Sequence, residues 1–195
     1  MSENKVYLSV STTAKLVRGM LKKEFPGVKF FVNCEHGYAI RVAWVDGPCE
    51  RKVNSLIGHM RSRKFDSMND LTTFVSHWLL PNGEFVTLVG ERDNALKPHP
   101  EAVLCDTGMD FLSLYRAVSE ELAEEVRSKI VAETGWEDLR LAEGSVYVNR
   151  KKSLPSFAIE IDFTNDMRSR EFWIGQVYKS AEAGNVDALI AQNFH

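Results

Sequence analysis

The thiol and imidazole side chains in the first half are the residues best suited to bind a metal ion. Cys34, His36, Cys49 and His59 form this set. Zinc sites usually place ligands in pairs about two to four residues apart, so that one turn holds each pair. Only Cys34 and His36 are that close. The spacing therefore favours ordinary buried or surface side chains over a zinc site, and we expect no metal and no cofactor.

A second candidate is a thiol nucleophile at Cys105, with His99 and Asp106 nearby in the sequence. Such a nucleophile needs a base within hydrogen-bonding distance, which sequence proximity alone does not provide. No nucleophile motif surrounds these residues, and no phosphate-binding glycine loop or hydrolase serine motif occurs in the chain. We therefore expect no catalytic residues here.

A third candidate is a carboxylate set near the C-terminus that resembles a nuclease metal site. Its members are Glu160, Asp162 and Asp166, with Lys151 and Lys152. Carboxylates would hold magnesium and a lysine would support the attack. Glu160 and Asp162 alternate with apolar residues, however, which a solvent-facing side of a strand explains equally well. An enzyme, such as a nuclease, is therefore the alternative and not the favoured interpretation.

Basic side chains in the first half provide a better signal. They are Lys15, Arg18, Lys22, Lys23, Arg51, Lys52, Arg61, Arg63 and Lys64. Lys15, Arg18 and Lys22 are three and four residues apart, so they share one face of a predicted helix. If the two basic helices lie on one side of the intervening hairpin, they form a cationic surface suited to phosphates. Ordinary solubilising charge is the alternative.

Aromatic residues would have to be exposed to stack on single-stranded bases. Phe31, Tyr38 and Trp44 are the candidates near the basic helices. Each lies in an alternating strand pattern, so we expect these side chains in the core.

Net charge is distributed unevenly along the chain. Residues 1–100 carry 14 Lys and Arg against 10 Asp and Glu, whereas residues 101–195 carry 10 against 17. Four glutamates, Glu120, Glu121, Glu124 and Glu125, lie together on a predicted helix. The acidic half suggests a second surface for a basic protein partner or for mimicry of nucleic acid. Two ordinary solvated faces would explain the same asymmetry.

The elements that must position these residues follow a repeated order. A capped helix with Ala14, Val17 and Leu21 on its apolar side precedes two alternating strands, and a second helix starts near Pro48. Ser11, Thr12 or Thr13 is the predicted helix cap. The turn at Glu35-His36-Gly37 makes the strands a hairpin. A second hairpin is predicted around Pro81-Asn82-Gly83.

The second half repeats the same order without an aligned residue repeat. Phe111, Tyr115, Val118, Leu122, Val126 and Ile130 predict one long helix, and Thr134-Gly135 ends it. Short strands, a turn at residues 151–156 and two closing helices follow. We therefore predict an α+β fold of antiparallel hairpins packed against amphipathic helices. Residues 1–90 and 109–195 would form two modules, and 91–108 a linker or long loop.

Several segments resemble a known family. They are Thr13-Ala14-Lys15-Leu16-Val17-Arg18, Leu21 to Phe30 with Phe25-Pro26-Gly27-Val28, Val42-Ala43-Trp44-Val45-Asp46-Gly47-Pro48, and Lys64 to Asp70. Over about residues 10–75 the chain resembles large polyvalent protein-associated domain 29. The resemblance implies a protein of phages or conjugative elements, with a role against host defence as the expected context. It provides no catalytic residues. The turn at Glu35-His36-Gly37 is shorter than the family pattern implies.

Taken together, these patterns predict a binding protein of a phage or mobile element, acting in the host cytoplasm. The favoured function is inhibition of a defence complex of CRISPR or restriction type, through nucleic acid or a nucleoprotein. A nuclease and a non-catalytic oligomerisation or scaffold module are the alternatives, and self-association is left open. The chain has 195 residues and an ordinary globular composition, and no apolar run reaches the ~20 residues of a membrane span. The three cysteines agree with a reducing compartment.

Overall fold

The computed structural model describes residues 5–66, 68–88, 97–161, 167–182 and 184–194. Five α-helices lie within them, with a 3-10 helix at Gly58–Met60. The α-helices are α1 Val10–Glu24, α2 Glu50–Ile57, α3 Glu120–Thr134, α4 Met167–Ser180 and α5 Val186–Phe194. The described strands are β1 Val6–Tyr7, β2 Phe31–Glu35, β3 Ala39–Val45, β4 Arg63–Asp66, β5 Leu71–Phe74, β6 His77–Leu79, β7 Phe85–Thr87, β8 Val103–Asp106, β9 Phe111–Ala117, β10 Leu139–Asn149 and β11 Lys152–Ile161. The predicted α+β fold is confirmed.

The chain divides into two compact units. The first unit contains residues 1–26, 30–42 and 53–114, and the second contains residues 27–29, 43–52 and 115–195. A three-stranded sheet has the order β2-β3-β9, and the division falls inside β3 and β9. The predicted modules at 1–90 and 109–195 remain a prediction.

Helix α1 provides the apolar side predicted from sequence. Ala14, Val17 and Leu21 are fully buried, and α1 packs against β2. The predicted cap is wrong, because Ser9 caps the helix by accepting a hydrogen bond from the backbone N–H of Thr12 at 3.2 Å. Thr13 instead points inward and donates its hydroxyl to the backbone oxygen of Thr107. A threonine that satisfies a buried carbonyl is not available to cap its own helix.

A four-stranded sheet of the first unit has the order β1-β8-β6-β7. Strands β6 and β7 form the predicted hairpin around Asn82-Gly83, and β8 pairs with β6 antiparallel and with β1 in parallel. Residues 103–106, assigned from sequence to a loop, are therefore an inner strand. The prediction missed β8 because its buried residues Leu104 and Cys105 form a short apolar run with no alternation.

Helix α3 and the long hairpin β10–β11 organise the second unit. Helix α3 packs against both strands and against α4 and α5, around a core that includes Val126, Ile130 and Val177. Gly135 ends α3 in the left-handed conformation with φ 71°, as predicted. The order helix, hairpin, helix therefore occurs in both halves, as α1-β2-β3-α2 and α3-β10-β11-α4.

Two predictions for the second half are wrong. The predicted long helix from Phe111 is wrong at its start. The spacing of Phe111, Tyr115 and Val118 fits a helix, but residues 111–117 form strand β9, which pairs with β3. Ser119 then caps α3 at its true start. The turn placed at 151–156 is also wrong, because Pro155 lies within β11 opposite Ser145. A two-stranded hairpin has two edges, and an edge strand tolerates proline.

The corner after β3, residues 44–49, explains much of the Trp-Val-Asp-Gly-Pro segment. The Trp44 indole is fully buried and donates to the backbone oxygen of Pro48 at 2.9 Å. A Cβ at Gly47, which has φ 59°, would lie 3.0 Å from the Val28 side chain, so only glycine fits this corner without strain. The segment that is most distinctive in sequence is thus a packing device of the second unit.

Asp46 connects this corner to the start of α3. Its backbone has φ 51°, uncommon for a residue other than glycine. Its N–H donates to the backbone oxygen of Ala117 at 2.9 Å, and its carboxylate accepts from the N–H of Ser119 at 2.9 Å. Arg116 Nε donates to the backbone oxygen of Asp46 at 3.1 Å. These bonds hold a strained residue in place.

Candidate nucleic-acid interface

An open groove of about 750 Å³ in the first unit brings together three of the predicted basic residues. Arg61, Arg63 and Lys64 line it together with the rings of Phe65 and Phe111. We call it the basic groove. Cations that lie in a concave surface beside exposed rings suit a ligand with anionic groups and flat apolar faces.

The β4–β5 hairpin positions most of these side chains. Arg63 lies opposite Phe74, and Phe65 lies opposite Thr72. Directly opposed residues of an antiparallel pair share a face, so Arg63, Phe65 and Phe74 project to the same side. Phe65 is 61% exposed and Phe74 is 73% exposed. This hairpin thus presents aromatic rings to solvent, whereas rings that serve only to stabilise the fold would be buried.

The guanidinium of Arg63 is held in place from two sides. Its Nε lies 3.0 Å from the Asp110 carboxylate, and its guanidinium lies 5.0 Å from the centre of the Phe74 ring. Arg61 donates to the Asn54 side chain at 3.2 Å. Because Asp110 offsets the charge of Arg63, we expect Arg61 and Lys64 to contribute most of the attraction for an anion.

Buried hydroxyl groups fix the backbone that enters the groove. Ser62 and Thr107 hydroxyls lie 2.9 Å apart, and the Thr107 hydroxyl donates to the backbone oxygen of Met60 at 2.6 Å. The N–H of Ser62 donates to the oxygen of Met109, and the N–H of Val75 donates to the oxygen of Ser62, both at 2.8 Å. Sequence patterns do not predict this network, because single Ser and Thr residues carry no periodic signal.

A second groove of about 510 Å³ lies beside α1 in the same unit. Lys15 and Lys23 line it, and His59 lines both this groove and the basic groove. His59 Nε2 donates to the backbone oxygen of Phe85 at 3.1 Å. Glu84 lies 3.8 Å from Lys23, so the positive charge here is partly offset. The two grooves together place five of the nine predicted basic residues on adjoining surfaces.

The remaining predicted basic residues lie elsewhere. Arg18 donates its guanidinium to the backbone oxygen of Val32, which ties α1 to β2. Lys22 is exposed on α1 and lines neither groove. Arg51 and Lys52 belong to the second unit, where the Lys52 amine lies 2.6 Å from the Glu182 carboxylate. The assignment of all nine residues to nucleic-acid binding remains a prediction.

Glu182 connects Lys52 to the start of α2. Its second carboxylate oxygen accepts from the backbone N–H of Cys49 at 2.7 Å. Burial by itself would raise the pKa of Glu182, but the hydrogen bonds from Lys52 and Cys49 outweigh it and lower the pKa below its ordinary value. Lys52 thus has a structural partner in the second unit.

The predicted acidic surface lies on α3. Glu120 and Glu121 are exposed in its first turn, where the helix dipole favours negative charge. Glu124 accepts from Arg127 and Ser128, and Glu125 accepts from Lys129 at 2.9 Å. Local partners thus offset half of this cluster, and its role in binding a protein partner remains a prediction.

The stacking candidates named from sequence divide between core and surface. Trp44 is fully buried, as expected, whereas Tyr38 is 46% exposed and the expectation that it is buried is wrong. Phe65 and Phe111, which were not predicted as stacking residues, are the exposed rings of the basic groove. A short hairpin with apolar residues on an exposed face could have been recognised only from the pairing of β4 with β5.

The structure shows the surroundings of the thiol and imidazole residues that were considered from sequence. Burial, with a further contribution from Asp106, raises the pKa of the Cys105 thiol to about 11, so little thiolate is present at neutral pH. The exposed His99 accepts from the N–H of Glu101 at 3.1 Å. Cys34 Sγ contacts the backbone oxygen of Val10 at 3.7 Å. Among the described residues, no three His, Cys, Asp or Glu side chains are grouped to hold a metal ion.

The nuclease-like set is separated along β11. Lys152 begins this strand and Glu160 lies near its end, so they are roughly 26 Å apart at the usual rise per residue. Glu160 is exposed and lies 3.6 Å from Arg140. Asp162 and Asp166 lie outside the described residues. Glu160 and Lys152 therefore do not share a site.

The comparisons with known proteins give a match to a family model over part of the chain. Residues 8–99 match the model of the family described as large polyvalent protein associated domain 29, a longer stretch than the motifs alone indicated. No curated protein and no solved structure matches the chain. No helix among the described residues is long and apolar enough to cross a membrane. Residues 8–99 are thus similar to the large polyvalent protein associated domain 29 family, and this similarity suggests a protein associated with phages or mobile elements.

Proposed function

We propose that the protein is a phage or mobile-element binding protein that attaches to nucleic acid through the basic groove. Binding to nucleic acid would let it hinder a host nucleoprotein complex of CRISPR or restriction type. The observation that carries this proposal is the convergence of Arg61, Arg63 and Lys64 with two exposed aromatic rings in one groove. The similarity to large polyvalent protein associated domain 29 supports the phage or mobile-element context, and the anti-defence role is our extension of it.

The groove suits binding better than catalysis. A catalytic site would need a nucleophile, a base or a metal set beside the bound ligand. The described side chains of the groove are mainly cations, aromatic rings and hydroxyls, Asp110 is already paired with Arg63, and the His59 imidazole is bonded to the backbone oxygen of Phe85. Cations without such a set attract a phosphate backbone and leave it intact.

Titration of labelled DNA and RNA at several salt concentrations tests the binding. Each phosphate contact that is lost should reduce the salt slope of binding by about one unit, because fewer counterions are released. We therefore expect Arg61→Gln with Lys64→Gln to reduce the slope by about two units. The matched control is Lys151→Gln with Lys179→Gln, which removes the same charge from exposed sites of the second unit.

The control variant should bind as the native chain does. If both double variants lose affinity equally, attraction by net charge explains the binding and the basic groove is not the site. If the native chain binds no nucleic acid even at low salt, the proposed function is wrong.

The anti-defence role needs a test in cells. A host with an active CRISPR or restriction system would be infected with phage, with and without expression of the native chain or the Arg61→Gln, Lys64→Gln variant. We expect the native chain to raise plaque counts and the variant to do so less. Equal plaque counts with and without the native chain would contradict the anti-defence role while leaving nucleic-acid binding intact.

A further inference from the structure

We infer that the ligand of the basic groove is single-stranded nucleic acid, whose unpaired bases stack on Phe65 and Phe111 while its phosphates meet the cations. This inference rests on the nucleic-acid binding proposed above and adds the strand state of the ligand. The inference follows from the exposed rings, because the binding of phosphates by cations does not account for their exposure.

The two rings of the groove are exposed to a degree that folding does not require. Phe65 is 61% exposed and Phe111 is 57% exposed, and both line the same concave surface as Arg61 and Lys64. Aromatic rings that alternate with cations in a groove are the usual means of binding single strands, because every base offers a flat face. A duplex offers no such face, since its bases are already stacked on one another.

A row of rings continues from Phe111 along the surface of the first unit. The Tyr38 ring lies edge-on to Phe111, with ring centres 5.8 Å apart and an interplanar angle of 65°, and the His36 ring lies 6.0 Å from Tyr38 at an angle of 27°. Tyr38 is 46% exposed, and His36 is also exposed. The row provides stacking surfaces for more than one base.

The backbone fixes the position of this row. The carbonyl oxygen of Tyr38 accepts from the N–H of Asp110 at 2.8 Å, next to Phe111. Asp110 in turn holds Arg63, which lies over the Phe74 ring. These contacts link the backbone at Tyr38 to the residue before Phe111, which reduces the ordering needed at these two rings when a strand binds.

The charge of the groove also fits a single strand better than a duplex. Three cations face the ligand and Asp110 offsets one of them. Tight binding by phosphate contacts alone would need more neutralised phosphates than this groove provides. Stacking contributes the missing affinity, and it requires unpaired bases.

The test compares three labelled ligands built from strands about 12 nucleotides long, within the site sizes known for single-strand binders; the two single strands carry the same phosphates and the duplex carries twice as many. The ligands are a mixed-sequence strand, its duplex and a strand with abasic positions throughout. We expect the native chain to bind the intact strand at least about 5- to 160-fold more tightly than the abasic strand, the range for stacking of one base. The duplex should bind more weakly than the intact strand.

Ring variants separate stacking from charge. Phe65→Ala with Phe111→Ala should remove most of the difference between intact and abasic strands while leaving the salt slope unchanged. Phe65→Tyr with Phe111→Tyr keeps both rings and should keep the difference. Tyr147→Ala, which removes a 43% exposed ring from β10 of the second unit, should bind as the native chain does. A thermal melt of each variant confirms that it folds.

The outcomes distinguish this inference from the proposed function. Equal affinity for intact strand, abasic strand and duplex would show binding to nucleic acid without stacking, which overturns the inference alone. No binding of any ligand at low salt would overturn both. If the rings bind a purified host protein and no oligonucleotide, the row is a protein-docking surface and the inference is wrong.

Discussion

In the corner after β3, Trp44, Asp46 and Gly47 are used for packing or hydrogen bonding, whereas the basic groove leaves the rings of Phe65 and Phe111 largely in solvent. Trp44 is fully buried and hydrogen-bonded, and Asp46 accepts from the N–H of Ser119, the residue that caps α3. Phe65 and Phe111 are more than half exposed. The comparison teaches that a strong motif need not mark the proposed binding site, because the Trp-Val-Asp-Gly-Pro segment supports the fold.

Replacing Trp44, at the centre of the corner, tests whether the corner is a packing centre. Trp44→Ala should lower the free energy of unfolding by about 3–5 kcal/mol, because it removes a large buried ring and leaves a cavity. Trp44→Phe, which loses mainly the bond to Pro48, is the milder control. Chemical denaturation measures both. A native-like denaturation midpoint for Trp44→Ala would mean that the corner is not a packing centre.

A smaller effect is expected at the strained residue of the corner. Asp46→Ala should cost about 1–3 kcal/mol, because alanine tolerates a positive φ poorly and the Ser119 N–H loses its acceptor. Asp46→Asn keeps an acceptor and suits the left-handed region, so it should cost less. The same denaturation experiment compares them, and an equal loss in both variants would contradict the hydrogen-bond argument.

The next effect depends on pH and concerns Glu182. Its folded pKa is lowered, so its pair with Lys52 contributes stability above the unfolded pKa of about 4.3 and loses it as pH falls towards the folded value. We expect Glu182→Gln to remove about 1 kcal/mol or less at pH 7, because Lys52 is largely exposed. The difference should shrink as unfolding is measured at successively lower pH. A difference that stays constant down to pH 3 would contradict this linkage.

The smallest expected effect on stability is in the groove. Phe65→Ala should change the free energy of unfolding by about 0.5 kcal/mol or less, because the ring is mostly in solvent. The same variant is expected to weaken single-strand binding, so stability and binding should separate. A loss above about 2 kcal/mol would show that Phe65 belongs to a core, and the contrast with Trp44 would fail.

Sequence patterns predicted the elements whose signals are local. The apolar side of α1, the turns at His36-Gly37 and Asn82-Gly83, and the glycine that ends α3 each depend on residues close in the chain. Strands β8 and β9 were missed because their identity depends on distant partners, β6 and β3. Local spacing assigned residues 111–117 to a helix, and only pairing corrected it.

The candidate site was predicted in part, for the same reason. Arg61, Arg63 and Lys64 were nominated from charge, which is visible in sequence. Their grouping with Phe111 depends on a strand about fifty residues further along the chain. Exposure of an aromatic residue is likewise a property of tertiary structure, since the same residue type fills cores elsewhere.

The parallel pairing of β1 with β8 has a consequence for the order of assembly during synthesis. Val6 pairs with Cys105, and the N–H of Leu8 donates to Asp106 at 2.9 Å, so the first strand must wait for a partner 99 positions later. At translation rates of about 5–20 residues per second, that wait lasts roughly 5–20 s. The hairpin β6–β7 can close within that time, because its strands are separated by one short turn. Strand β1 is thus a late addition to this sheet, and its contacts form after those of the β6–β7 hairpin.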